Sequence, residues 1–136
     1  MATINKIHHI AIVVENMDEA LTFWRDTLGI TNSGVQDISQ ESAQVAFLPL
    51  GDSEIELIIP TSTDSGLAKF LAKRGAGMHH LCLEVDDLDA FLFQLQQKNV
   101  RLINELPRVN QEGRRYIFIH PESTNGVLVE LYEKIS

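Results

Sequence analysis

Apolar and polar residues alternate along two similar stretches of the chain. Residues 7–14 and 80–85 carry large apolar side chains at every second position, which predicts half-buried β-strands. After each strand the apolar spacing becomes helical, through Met17, Ala20, Leu21, Trp24 and Leu28 in the first stretch and Leu88, Phe91, Leu92 and Leu95 in the second. Each stretch is therefore predicted to form a strand followed by a helix.

Polar residues and glycines mark where these elements begin and end. Asn16, followed by Glu19, resembles a capping box that opens the first helix, and Gly29 ends it. The turn at residues 51–53 joins strands predicted over 45–50 and 54–59. Further strands are predicted near 116–120 and 127–132, and a short connecting helix over 65–75. The fold class is therefore predicted to be α+β.

The two stretches are copies of one unit. A shift of 71 residues (79 − 8 = 71) aligns identical residues, namely His8 with His79, His9 with His80, Val14 with Val85, Asp18 with Asp89, Leu21 with Leu92 and Phe47 with Phe118. The period is too long for a repeat array, so we expect a duplication within one domain of 136 residues. The first module covers about 5–60 and the second about 76–134.

Strand alternation separates the two histidines of each pair. The rows Ile10, Ile12, Val14 and Leu81, Leu83, Val85 are expected beneath the helices, and His8 and His79 fall on that side. His9 and His80 point to the opposite face, where small neighbours such as Ala11 leave room for a cleft. The second histidine of each pair is therefore the functional candidate.

Each copy also places one glutamate within an apolar strand, on the face away from the apolar row. These residues are Glu56 and Glu130, and a carboxylate there is costly to bury unless it is paired or bound to a metal. A pseudo-twofold axis between the copies would bring His9, Glu56, His80 and Glu130 together. Such a mixed nitrogen and oxygen set suits an octahedral divalent ion such as cobalt, nickel, manganese or zinc. Two open positions would then chelate one substrate and stabilise the enolate formed by proton loss beside a carbonyl.

Other titratable residues have simpler explanations. We expect structural roles for His8, His79 and His120, a solvated carboxylate at Glu54, and a position too far along the strand from His80 for Glu84 to share its metal. Cys82 is the single cysteine, so no intrachain disulfide forms, and it is expected to be a small buried hydrophobe.

The charge and the apolar runs exclude several classes of partner. A formal net charge of -8 argues against nucleic acid or an anionic membrane as the main partner. The apolar runs are too short for a secretory signal or a membrane span, so a cytoplasmic location is the default expectation.

The chain resembles the vicinal oxygen chelate superfamily, the glyoxalase-like fold, through its paired units with a histidine and a glutamate in each half. Four segments more narrowly resemble the methylmalonyl-CoA epimerases, namely residues 45–57, 67–87, 99–108 and 120–131. The resemblance implies two tandem βαβββ modules that form a cupped sheet around a metal, often cobalt, held by His9, Glu56, His80 and Glu130. It also implies interconversion of the 2R and 2S epimers of an acyl-CoA substrate, methylmalonyl-CoA, and a homodimer is plausible for the fold.

The resemblance leaves part of the chemistry open. Some of these epimerases carry a glutamate base in the strand matching 45–50, where this chain has no acid. Glu130 is therefore the first candidate for the catalytic base and Glu56 the second, with the opposing partner unassigned. The phosphates of coenzyme A need local cations, for which the candidates are Lys69, Lys73, Arg74, Arg108, Arg114 and Arg115. Glu122 stands where related chains commonly have a lysine or an arginine.

Two alternatives to epimerisation remain. The bacterial lactoylglutathione lyases (glyoxalase I) resemble the same set of His, Glu, His and Glu and move a proton in a related reaction. A non-catalytic binding protein on the same fold is the alternative outside enzymes, although such a protein needs none of the four ligands.

Overall fold

The computed structural model describes residues 2–134 of the chain. Eight strands are present, namely β1 (Ile4–Val13), β2 (Gly34–Ile38), β3 (Ala43–Leu50), β4 (Ser53–Pro60), β5 (Gly77–Val85), β6 (Arg108–Val109), β7 (Arg115–Ile119) and β8 (Val129–Glu133). The helices are α1 (Met17–Leu21), α2 (Gly66–Arg74) and α3 (Leu88–Gln97). Short 3-10 turns cover Ser39–Glu41 and Pro121–Ser123. The chain divides into two compact units.

The first unit, His9–His79, has a sheet in the order β2-β3-β4-β1. β1 pairs with β4 in parallel, whereas β3 is antiparallel to both β2 and β4. One core lies between this sheet and α1, where Leu57 and Leu48 are fully buried and Leu21 packs against them. The apolar row of Ile12 and Val14 belongs to this core, which confirms the side predicted to lie beneath the helix.

The second unit contains the residues up to His8 and those from His80 onward, with strand order β1-β5-β8-β7-β6. β5 and β8 are parallel, and β7 is antiparallel to β8. Its core lies between the sheet and α3, through Leu88, Leu92, Val85, Ile117 and Leu131. The predicted apolar face of α3 is therefore confirmed.

Side-chain caps fix where the helices begin. The Asn16 side chain accepts a hydrogen bond from the Glu19 backbone N–H, as the predicted capping box requires. Ser65 and Asp87 cap α2 and α3 in the same way, through the backbone N–H groups of Ala68 and Ala90. Gly29 comes after the first helical segment with φ +81, a left-handed conformation that favours glycine and ends the helix.

The first helix differs from the predicted continuous α-helix. After Leu21 the chain widens into a π-helical segment, Thr22–Thr27, in which the Leu28 N–H reaches the Phe23 carbonyl five residues back. The extra residue in this turn rotates the later side chains away from the face that ordinary helical spacing would give them. Trp24 still packs into the core, but Leu28 is 52% exposed, so its predicted place on the buried face is wrong.

Two further predictions need correction. β8 begins at Val129, and Val127 is 41% exposed because its N–H closes a turn on Thr124 instead of joining the strand. The face of β1 that carries Ala11 and Val13 is also less open than predicted, because Leu67, Phe70 and Leu71 of α2 pack against it. No helix within residues 2–134 combines the length and apolar character needed to cross a membrane.

Candidate functional site

The first unit pairs His9 with Glu56 on adjacent parallel strands. The Nδ1 atom of His9 lies 3.1 Å from a carboxylate oxygen of Glu56, and their side chains are only 7% and 13% exposed. Ala11, two residues after the histidine, is the register partner of Glu56, so both side chains lie on one face of the sheet. The sequence predicted both residues and their shared face.

The second unit repeats this arrangement with His80 and Glu130. The Nε2 atom of His80 lies 3.1 Å from a carboxylate oxygen of Glu130, with both side chains buried. Cys82, two residues after His80, is the register partner of Glu130, as Ala11 is of Glu56. The duplication seen in the sequence is therefore present in the register of the strands.

Both pairs have donor types and spacing that suit a metal ion. In an octahedral complex with ligands at about 2.1 Å, two neighbouring ligand atoms are separated by about 3.0 Å. The distance of 3.1 Å between nitrogen and oxygen in each pair is close to this separation. Imidazole and carboxylate together are ligands of divalent transition metals. Each unit therefore offers two adjacent ligands with little rearrangement.

Glu54 is closer to this chemistry than the sequence suggested. It is the register partner of His9 on β4, and its carboxylate, the Glu56 carboxylate and a ring nitrogen of His9 all lie within 4.8 Å of one another. The residue is half-buried, so its carboxylate is less exposed to solvent than the sequence suggested. Strand alternation gave the available signal, because Glu54 and Glu56 share a face.

His8 and His79 contact aromatic rings. The ring of His8 meets the ring of Tyr132 edge-on at 4.8 Å, and Tyr132 shares its face of β8 with Glu130, away from the α3 core. The prediction that His8 lies on the helix side is therefore wrong, because strict alternation does not hold at this residue. His79 meets Phe70 of α2 at 4.7 Å, a contact that agrees with the expected structural role.

A buried polar network occupies the same face of the second unit. Arg114 donates to Glu84 at 3.1 Å, and its guanidinium carbon lies 3.9 Å from the centre of the Tyr132 ring. Burial alone would raise the pKa of Glu84, but hydrogen bonds from Asn5 and Arg114 outweigh it and hold that pKa below the ordinary value. Burial raises the pKa of Tyr132 to about 12, despite the nearby Arg114 charge.

Two of the predicted cations for coenzyme A phosphates are engaged inside the second unit. Arg114 is held by Glu84, and Arg115 donates to both carboxylate oxygens of Glu133 and to Asp89. These partners neutralise the two charges, so neither is a good phosphate ligand. Arg74 lies over the Phe70 ring at 5.4 Å, on the last turn of α2 beside Lys73. Lys69, Lys73, Arg74 and Arg108 remain the candidates.

Cys82 takes the structural role predicted for it. Its side chain has no exposed surface and lies in a cluster with Tyr116 and Tyr132, with Phe118 packed against it. Because its sulfur is fully buried on the Glu130 face, it fills space beneath the His80–Glu130 pair.

Comparisons with known proteins identify the family of this chain. The model of the Glyoxalase/Bleomycin resistance protein/Dioxygenase superfamily matches residues 8–118. The mitochondrial methylmalonyl-CoA epimerase of Homo sapiens is 36% identical over 94% of this chain and 73% of its own length. The ethylmalonyl-CoA/methylmalonyl-CoA epimerase of Cereibacter sphaeroides is 35% identical over 94% of this chain and 97% of its own.

A solved structure gives the same result for the fold. A methylmalonyl-CoA epimerase in complex with methylmalonyl-CoA and NH4+ superimposes with a TM-score of 0.88 at 31% identity, over 98% of this chain and 97% of that one. The predicted glyoxalase-like, vicinal oxygen chelate fold is confirmed by this agreement. With matches of this length in sequence and in structure, the chain belongs to the Glyoxalase/Bleomycin resistance protein/Dioxygenase superfamily and, within it, to the methylmalonyl-CoA epimerase family.

Proposed function

We propose that this protein interconverts the 2R and 2S epimers of methylmalonyl-CoA by removing the α-proton and returning it to the opposite side of the carbon. The observation that carries the proposal is the His–Glu pair found in each unit, at 3.1 Å in both, within a chain of this family. A carboxylate held beside an imidazole in a buried strand suits proton transfer next to a carbonyl. The acyl-CoA thioester is thus the proposed partner.

The proposed metal ligands are His9, Glu56, His80 and Glu130, all bound to one divalent ion. In this proposal residues 1–136 form a single domain. The donor types and the spacing within each pair support this set. When bound, the ion would supply positive charge that stabilises the thioester enolate. Cobalt is the proposed ion, with nickel, manganese and zinc as alternatives that the same ligands accept.

Glu130 is the first candidate for the proposed base and Glu56 the second candidate, and the base on the opposite side of the substrate is unassigned. Glu130 is buried, and Phe118 lies directly across from it on β7. Glu130 would act as the base while bound to the metal or exchanging from it, and the fixed strand orients it toward one side of the substrate. Glu56 holds the equivalent position in the first unit, across from Phe47 on β3, and is the alternative carboxylate for removing the α-proton.

A homodimer and a cytoplasmic location complete the proposal. A sequence with Cys82 as its single cysteine, buried in the structure, suits a reducing compartment. Sedimentation of the purified protein tests the dimer, since a homodimer has twice the mass of a single chain.

Proton exchange in deuterated water tests the function. The purified protein, loaded with cobalt, is incubated with methylmalonyl-CoA, and deuterium at the α-carbon is followed by mass spectrometry. The hemithioacetal of methylglyoxal and glutathione is run in parallel, and we expect exchange with the first substrate only. Turnover of the hemithioacetal alone would favour the lactoylglutathione lyase. If neither substrate reacts after cobalt or nickel is restored, the remaining interpretation is a non-catalytic binding protein.

A further inference from the structure

A phenylalanine lies directly across from each glutamate of the site. In the antiparallel pairing of β3 with β4, Phe47 is the register partner of Glu56, and in the pairing of β7 with β8, Phe118 is the register partner of Glu130. Directly opposed residues of antiparallel strands share a face, with Cβ atoms about 4.5–5.5 Å apart. Each glutamate therefore has a phenylalanine as its register partner on the antiparallel strand.

Phe118 is held in place by other rings. It meets His80 edge-on at 5.4 Å and Tyr116 edge-on at 6.0 Å. It packs against the cluster of Cys82, Tyr116 and Tyr132 but is itself only half-buried. The ring thus has a fixed side against the protein and a remaining surface on the face of Glu130.

Phe47 has the equivalent position in the first unit. It packs against the cluster that contains Ala11, Val45 and Ile58, with Phe70 of α2 on the same cluster. It is also half-buried. The same pair of carboxylate and ring is therefore built twice from different neighbours.

A carboxylate that takes a proton from a carbon atom has to approach it within about 3–3.5 Å. The alkyl group on that carbon is then within reach of the phenylalanine next to the carboxylate. We propose that Phe118 sets the length of the alkyl group that the site accepts on the α-carbon. The inference rests on the proposed function, because it assigns Glu130 and Glu56 to the α-proton.

The packing of Phe118 explains why it would discriminate by length. In this proposal a methyl group on the α-carbon ends at the Phe118 ring, whereas each further methylene has to displace the ring. His80 and Tyr116 contact the ring and restrict its movement. One methylene in a fixed apolar pocket changes rates by about 10–200-fold. Short alkyl groups are therefore accepted and longer ones are rejected.

The test compares thioesters that differ only in the α-alkyl group. Exchange of the α-proton in deuterated water is measured for methylmalonyl-CoA and propylmalonyl-CoA with the cobalt-loaded wild type and with Phe118→Ala. We expect the ratio of kcat/KM for propyl over methyl to rise about tenfold or more in the variant.

Phe93→Ala is the matched control, because Phe93 is 65% exposed on α3. It removes the same side chain, and the propyl to methyl ratio should stay at the wild-type value. Thermal unfolding of each variant shows whether it is folded. If Phe118→Ala does not fold, Phe118→Leu decides by the same ratio, with an expected rise of about threefold, which corresponds to a smaller loss of ring volume.

The outcomes separate this inference from the function on which it rests. A wild-type enzyme that exchanges no malonyl thioester refutes the proposed function. An active Phe118→Ala variant whose propyl to methyl ratio stays within about twofold of the wild type, well below the expected rise of about tenfold, overturns the role of the ring and leaves the function intact. For Phe118→Leu, an unchanged ratio does the same.

Discussion

The Nε2 atom of His80 lies 3.1 Å from a carboxylate oxygen of Glu130, and neither side chain has more than 10% of its surface exposed. A contact of this length places a base and a potential metal ligand side by side in a desolvated strand. The equivalent contact in the first unit uses Nδ1 of His9, so the two pairs share residue types and distance but differ in the nitrogen that faces the carboxylate. Each pair can therefore be tested separately.

Replacing the carboxylates should separate the bases from surface acids. Glu130→Gln and Glu56→Gln keep the shape but remove the proton acceptor, so we expect α-proton exchange to fall about 10²–10⁴-fold in each. Glu122→Gln is the matched control, since that carboxylate is 68% exposed and paired with the exposed Arg101. Exchange rates in deuterated water provide the measurement. A Glu130 variant as active as the control would remove it from the mechanism.

Removing a histidine should weaken metal binding and the stability gained from it. His80→Ala and His9→Ala each delete one ligand, and we expect cobalt affinity measured by calorimetry to fall at least about tenfold. Cobalt should raise the melting temperature of the wild type, because a ligand that binds only the native state stabilises it. His120→Ala is the control, since His120 accepts the Glu122 N–H at the start of a 3-10 turn. Equal cobalt binding by all variants would argue against the proposed ligands.

The buried pair of Arg114 and Glu84 should be costly to break from one side. Their side chains are each 13% exposed, and Glu84→Gln leaves the guanidinium without its counter-charge. We expect the free energy of unfolding to fall by about 3 kcal/mol, as it does when one partner of a buried ion pair is removed. Urea unfolding measures this change. A double-mutant cycle with Arg114→Met should show coupling, and additive effects would mean that the pair contributes little.

Acid should remove part of the stability through Glu133. Hydrogen bonds from Arg115 hold the pKa of Glu133 below its ordinary value of 4.5, although burial opposes them. A lowered native pKa contributes stability that is present above about pH 4.5 and is lost as the pH falls through the native value. We expect Glu133→Gln to be less stable than the wild type by about 1.5 kcal/mol at about pH 6, in line with a hydrogen bond to a charged group.

The difference in stability between the wild type and Glu133→Gln should narrow as the pH falls from about 4.5 toward about 3. Protonation of Glu133 in the wild type then removes the charge that the variant lacks at every pH. Thermal unfolding across this range measures the change. Glu122→Gln again serves as the control, with an exposed ion pair that contributes little. A difference that stays constant across the whole acid range would contradict the assigned role of the charge.

The periodicity of the chain was enough to predict most of the fold. Alternation gave the strands, and helical spacing with the caps at Asn16 and Gly29 gave α1 and its start. The repeat of His9 at His80 and of Phe47 at Phe118 showed the duplication, since two copies of a packing unit keep the residues that face their neighbours. The candidate pairs came from the same pattern, because a buried strand tolerates a glutamate only beside a partner.

Features that depend on contacts distant in sequence could not be predicted in this way. The π-helical turn after Leu21, the ring contact of His8 and the half-buried Glu54 break simple alternation or spacing. His8 and Glu54 have neighbours on other strands, Tyr132 on β8 and His9 on β1. In the sequence Arg114 and Arg115 look like surface cations. The structure shows that they are paired with Glu84 and Glu133.

The sequence by itself therefore determined the residue types at the site, the order of the elements and the face on which each candidate histidine and glutamate lies, because these depend on local periodicity. Only the tertiary structure decided which charges are neutralised and which ring lies across from which carboxylate. Strand register sets those neighbours, and register is a property of packed strands that no single segment specifies alone.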